Sequence, residues 1–176
     1  MVKDSVYIVS LVSTKSGTGK TTLVEALISL FKERGFSVGA LKDDAHRLEI
    51  DKQGKDSYRF AEAGADNVII SSSSKLVMIK SVKEKAPIKE IVKLFGNLDI
   101  IFIEGFKNSN LPKIEVHRKA VDKELLCKSS SYNSSAIVAA ATDELLNVDI
   151  PQLDINDPVS IADFIAVNIE LFKLDL

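Results

Sequence analysis

An α/β fold with a mostly parallel sheet flanked by helices is predicted by three features of this sequence. Short apolar, β-branched runs recur along the chain, bounded by polar or glycine-containing segments. Stripes of helical period fall between several of these runs. The first run also passes through a Gly-rich turn straight into such a stripe, as a strand feeding a crossover helix does.

Each element follows in order. Val6 to Val12 is an almost unbroken apolar run, which suits a strand buried on both faces. Leu23, Leu27, Leu30 and Phe31 then share one helix face, and Gly35 closes that helix. Residues 36–41 read as a second strand and 42–55 as a polar loop. Asp56 is placed to cap a short helix ending at Gly64. Residues 68–70 and 76–79 read as two strands joined by SSSSK. Pro87 opens a helix whose apolar stripe is Ile88, Ile91, Val92 and Phe95. Further buried strands are expected at 99–103 and 136–140, with a short one at 114–116. Residues 128–135 are polar and Ser-rich, hence a loop. Asp157-Pro158 caps and starts a last helix carrying Ile161, Ile165, Ile169 and Phe172 on one face. Neither an internal repeat nor a domain-sized linker interrupts this pattern, so a single domain over residues 1–176 is expected.

Composition narrows the function classes. Apolar residues make up 45% and charged residues 27%, which argues against general disorder. Basic residues number 23 and acidic residues 25, a balance that disfavours nucleic acid as the main partner. Cys127 is the only cysteine, so an internal disulfide and a multi-cysteine zinc site are excluded. It reads as a small apolar residue, buried or half-buried. No run reaches the roughly 18 apolar residues of a membrane span. The early run VYIVSLV leads into TKSGTGKTT rather than a small-residue cleavage site, so a cytoplasmic protein is expected.

The chemistry starts in the turn after the first strand. Thr14 to Thr22, TKSGTGKTT, matches the phosphate-loop pattern G-x-x-x-x-G-K-[ST] except that Thr14 replaces the first glycine. Gly17 and Gly19 let backbone N–H groups curl around an anion without interference from a Cβ. The helix that follows adds the positive end of its dipole. Lys20 reaches the β and γ phosphates, and the Thr21 hydroxyl binds Mg²⁺. Lys15, Ser16, Thr18 and Thr22 complete the expected nucleotide loop. A P-loop NTPase also needs a carboxylate near the metal, and Glu104, just beyond a buried strand, is the candidate. Asp99 begins the same strand at the far end of the sheet. Asp43 or Asp44 is placed to lie near Mg²⁺ or to orient the attacking water. A solvated loop acid is the other reading of both.

GKDSYRFAEAGA (54–65) and IEGFKNSNLPKIEVHR (103–118), in order after TKSGTGKTT, give a family resemblance. Together they resemble the molybdopterin-guanine dinucleotide biosynthesis protein B family over about residues 6–118. The resemblance implies a GTP-binding, weakly GTP-hydrolysing homodimer that assists the guanylyltransferase joining GMP to the molybdenum or tungsten pterin cofactor. It also leaves open direct contact with molybdopterin. It gives Gly17, Gly19, Lys20 and Thr21 to phosphate and Mg²⁺, and Glu104 to the metal's surroundings. Lys55, Asp56, Ser57 and Arg59 then lie beside the nucleotide cleft or a partner surface. For Lys55 and Arg59 a surface ion pair with Asp51 or Asp56 is the other reading, and the resemblance favours an anion-handling role.

The sequence departs from the family in two places. Thr14 brings a Cβ into the first turn. The His-rich stretch of the family is here Lys42-Asp43-Asp44-Ala45-His46, so His46 reads as structural. Lys15 also resembles the lysine that dimeric switches related to ParA and MinD extend to the partner's nucleotide. A solvated loop lysine is the alternative.

Guanine recognition needs a carboxylate facing the base, and Asp143, after the strand at 136–140, is the candidate. A cap for a helix through Leu146 is its other reading. Arg47, Arg59 and Arg118 are unranked candidates for an arginine finger. No nucleophile with an oriented base is apparent, so phosphoanhydride hydrolysis is the most this chain is expected to catalyse. An ATP-dependent small-molecule kinase or ligase and a ParA-like ATPase switch are the alternatives. The C-terminal helix, with Glu170 and Asp175 against Lys173, disfavours a membrane anchor.

Overall fold

The structure is a computed structural model, and it describes residues 4–43 and 53–176. They cluster into two compact units, one built from the chain up to Asp43 and from Phe95 onward, the other lying within Asp44–Leu94.

The larger unit is a seven-stranded sheet. Its strands are β1 (Ser5–Val12), β2 (Val38–Lys42), β5 (Ile100–Glu104), β6 (Lys113–Val116), β7 (Ile137–Thr142), β8 (Gln152–Asp154) and β9 (Lys173–Asp175), where β3 and β4 are the ribbon of the smaller unit, Asn67–Ser71 and Leu76–Lys80. Their order is β2-β5-β1-β6-β7-β8. Every pair along that path is parallel, and β9 alone runs antiparallel, beside residues 5–7 of β1. The mostly parallel P-loop NTPase sheet predicted from sequence is therefore present.

Helix α1 (Lys20–Glu33) buries Leu23, Leu27 and Phe31, as its stripe requires. Gly35, at φ 87°, ends it in a conformation that costs glycine least. Asp157 caps α4 (Pro158–Val167) by accepting from the Ser160 amide, and Ile161 and Ile165 are buried. These helices meet Val9, Leu11, Phe102, Ile114, Val116 and Phe172 in one core. Asp99 accepts from the Ser37 amide and hydroxyl at 2.7 and 2.5 Å, so it ties strand starts together, far from the ligand edge.

In the smaller unit, α2 (Asp56–Glu62) precedes the antiparallel β3–β4 ribbon, and α3 (Ile88–Lys93) follows it. The expected cap shifts by one residue. Lys55 holds the cap position, and Asp56 is the acid of the first turn, where the helix dipole favours it. Asp44, His46, Arg47 and Asp51, named above, lie outside the described residues. No helix among the described residues is long and apolar enough to cross a membrane.

Candidate functional site

β1, β2, β5, β6, β7 and β8 run parallel, so their C-terminal ends share one edge. That edge is where open α/β sheets bind ligands. β1 ends in the phosphate loop, and α1 starts at Lys20 directly after Gly19. Gly17 and Gly19 sit at φ 81° and 93°, a region that penalises a Cβ. A cavity of about 470 Å³ opens here, lined by Ser16, Gly17, Gly19, Lys20, Thr21, Thr22, Lys42 and Glu104. The first amides of α1 lack helical partners, so this end attracts anions.

Two cations serve the cavity. Lys20 Nζ donates to Ser13 Oγ at 2.7 Å and to the Lys15 carbonyl at 3.3 Å, which holds it across the loop. Burial lowers its pKa, the Glu104 charge opposes that, and Lys107 and Lys42 add to the lowering. A polyphosphate would relieve this crowding of positive charge. Lys42 went unassigned in the sequence analysis. Its signal was its place at the end of β2, visible only once β2 is known to pair with β5.

The Thr21 hydroxyl donates to Glu104 Oε2 at 2.8 Å. Two hard oxygen donors thus meet at the mouth of the loop, a donor set that fits Mg²⁺ bound mainly through phosphate and water. Asp43 stands next to this pair. Its amide donates to the Glu104 carbonyl at 2.8 Å, and its Oδ2 accepts from the Phe106 amide at 3.2 Å. Gly105, at φ 119°, leaves the room: a Cβ there would come within 2.7 Å of the Asp43 Cβ. The Ser10 hydroxyl anchors the same turn through the Gly105 carbonyl at 2.6 Å.

Lys15 turns to its own chain. Its Nζ lies 3.2 Å from Asp122 Oδ1, although most of the side chain is exposed. Asp122 also accepts from the amides of Lys123 and Glu124. The Thr14 hydroxyl, first among these partners, holds the Asp122 carboxyl at about 2. Thr18 is buried, with no partner for its hydroxyl among the described residues.

β7 and β8 frame a second cavity of about 380 Å³, which Asp143 lines together with Thr142, Glu144, Gln152, Asp154 and Asn156. Asp143 Oδ1 accepts from the Lys119 amide at 2.9 Å, and Arg118 lies 3.6 Å from its Oδ2. The Lys119 amide, with help from Arg118 and His117, lowers its pKa against the effect of burial. No helix follows Asp143, so the capping reading does not apply. Among the arginine candidates, Arg118 lies against the phosphate loop, its Nε 3.5 Å from where a Gly19 Cβ would stand.

In the smaller unit, Lys55, Asp56 and Ser57 line an apolar hollow of about 490 Å³ with Phe60 and residues 68–71. Arg59 pairs with Asp56 at 3.7 Å, and both are highly exposed.

The comparisons with known proteins agree with this arrangement. A family model described as molybdopterin guanine dinucleotide synthesis protein B matches residues 8–143. The molybdopterin-guanine dinucleotide biosynthesis adapter protein of Haemophilus influenzae is 36% identical over 152 residues, covering 85% of this chain and 83% of that protein. That of Escherichia coli is 34% identical over 157 residues, covering 85% and 86%. A crystal structure of molybdopterin-guanine biosynthesis protein B superposes with TM-score 0.72 at 27% identity, covering 92% of this chain and 99% of that one. On the family model and these identities, the chain belongs to the molybdopterin guanine dinucleotide synthesis protein B family.

Proposed function

We propose that this protein is an adapter of molybdopterin guanine dinucleotide biosynthesis that binds GTP with Mg²⁺ and hydrolyses it slowly. The observation that carries this reading is the phosphate-loop cavity, where Lys20 and Lys42 face the Thr21–Glu104 pair. Lys20 and the start of α1 hold the phosphates, and Mg²⁺ supplies charge neutralisation when bound. Thr21 and Glu104 hold the ion's surroundings. Asp43, fixed on the Phe106 amide, orients water beside them. This set binds and positions phosphoanhydride and provides no covalent nucleophile, which leaves the nucleotidyl transfer to a partner guanylyltransferase. Asp143 reads guanine from the second cavity. The protein works in the cytoplasm.

The chain acts as a homodimer through its smaller unit. A two-stranded ribbon is marginal by itself, yet Ile69 and Leu76 on this one are 60% and 70% exposed, beside an exposed Phe60. Covering that apolar surface with a second copy is the economical solution.

Calorimetry with GTP and ATP in the presence of Mg²⁺ tests the reading. GTP is expected to bind more tightly, with the preference collapsing in Asp143→Ala. ATP preference, or an unchanged preference in that variant, would remove the guanine assignment. Glu104→Ala is expected to retain nucleotide in EDTA within a few-fold and to lose Mg²⁺-dependent turnover about 100-fold or more, since charge stabilisation is the main source of rate. Full turnover in that variant would refute the metal-side role.

A further inference from the structure

The two cavities are separate in their linings, and one side chain lies between them. Gly19 lines the phosphate cavity, and among the described residues the atoms that a Cβ on Gly19 would meet within 4 Å are Nε and Nη2 of Arg118, at 3.5 and 3.8 Å. At its other end the same guanidinium touches residues of the second cavity. Nη1 and Nη2 both donate to Asn156 Oδ1 at 3.3 Å, and Nη1 lies 3.6 Å from Asp143 Oδ2. Arg118 therefore stands on the path from the phosphate loop to the β7–β8 cavity.

Its attachments are weak for an arginine. Two hydrogen bonds at 3.3 Å share one acceptor and lie beyond the usual range, and the carboxylate contact is an ion pair without a short bond. About a third of the side chain is exposed. The backbone behind it is firm by contrast. The amides of Val121 and Asp122 both donate to the Arg118 carbonyl, and Asp122 in turn grips Lys15 at the start of the loop. A rigidly rooted, loosely tethered guanidinium beside an anion cradle is suited to exchange a neutral amide oxygen for a phosphate oxygen. Charge-assisted bonds to phosphate are stronger than those to an amide, and the planar fork matches phosphate geometry.

We propose that Arg118 is a nucleotide-binding residue in cis that joins the two cavities into one nucleoside-triphosphate site. It leaves Asn156 and pairs with the phosphate nearest the nucleoside. This inference rests on the reading that the phosphate loop binds polyphosphate, and not on the preference for guanine.

The test titrates the full chain and four variants with GTP, ATP and inorganic triphosphate, following melting temperature in parallel. Arg118→Ala is expected to weaken the preferred nucleotide at least tenfold, with Arg118→Lys recovering part of the loss. Asn156→Ala is expected to tighten inorganic triphosphate, because it removes the competing acceptor. That gain should vanish in the Arg118→Ala/Asn156→Ala double variant. A mere strut would behave differently: Arg118→Ala and Asn156→Ala would weaken triphosphate and lower the melting temperature together, and that result overturns the proposal. Unchanged nucleotide affinity in Arg118→Ala also overturns it. ATP preference in the unaltered chain would refute only the guanine reading and leave this role intact. Failure of the unaltered chain to bind any of the three probes would overturn both.

Discussion

Asp122 shows how much one side chain does at the phosphate loop. The Thr14 hydroxyl, the backbone amides of Glu124 and Lys123, and Lys15 hold its carboxyl at about 2 against an ordinary 3.8, with the amides and Lys15 all on Oδ1. A depressed carboxyl binds fewer protons in the native state than in the unfolded one. Its contribution to stability is therefore complete above the ordinary value and is lost as pH falls from 3.8 through about 2. Asp122→Asn is expected to melt lower at neutral pH and to show a flatter acid limb, as melting curves between pH 7 and pH 2 would show. Parallel curves for the two proteins would contradict that linkage. Gly105 makes a steric case of the same kind. An added methyl would meet Asp43 at 2.7 Å on a backbone at φ 119°, so Gly105→Ala is expected to cost about 1–3 kcal/mol and to disturb Asp43 before it disturbs the core. Urea unfolding measures the first effect and nucleotide turnover the second.

Strand β6 carries an unusual load for four residues. Alternation sends Ile114 and Val116 into the main core and puts Lys113 and Glu115 on the opposite face, yet all four are buried. The two charges are satisfied by backbone. Lys113 Nζ donates to the carbonyls of Ser109 and Leu111, at 2.5 and 2.9 Å, and so shapes the segment after Glu104. Glu115 accepts from the amides of Leu126 and Cys127 at 2.6 and 2.9 Å. Burial and then Glu115 push the Cys127 thiol up to about 12, so it is a packing residue and not a nucleophile. His117, just past the strand, meets Glu144 at 3.0 Å and lowers that carboxyl's pKa. Glu115→Ala leaves two buried amides without acceptors and is expected to destabilise the chain by about 2–4 kcal/mol in urea unfolding. Glu115→Gln, which keeps one acceptor oxygen, is expected to lose roughly half of that. A Glu115→Gln variant as stable as the unaltered chain would mean that packing and not hydrogen bonding is at stake.

At the scale of the whole molecule, the two compact units divide the work. The sheet unit contains the phosphate loop, Glu104, Arg118 and Asp143, while the smaller unit presents Phe60, Ile69, Leu76 and Met78 to solvent. If that apolar ribbon is the dimer surface, Ile69→Lys combined with Leu76→Lys is expected to give a monomer in sedimentation equilibrium. Its affinity for GTP should stay within a few-fold of the unaltered chain. A monomeric unaltered protein would refute the dimer. A dimer that survives both lysines would move the interface elsewhere.

The elements with strong local signals were legible from sequence alone. The run at 6–12, the stripe of α1 and the Asp157-Pro158 start of α4 each repeat one physical preference over many residues, and TKSGTGKTT combines glycine, cation and hydroxyl at chemically required spacings. Glu104 followed from the same logic, because a buried strand in a parallel sheet must end at the ligand edge. Strands β8 and β9 were not legible, since three residues of mixed polarity carry no periodicity and gain their hydrogen bonds only from neighbours already in place. The cis hold on Lys15, the settling of Asp143 on the Lys119 amide and the approach of Arg118 to Gly19 belong to the tertiary structure for one reason. Each joins side chains whose separation along the chain says nothing of their distance, and only the strand order brings them to a common edge.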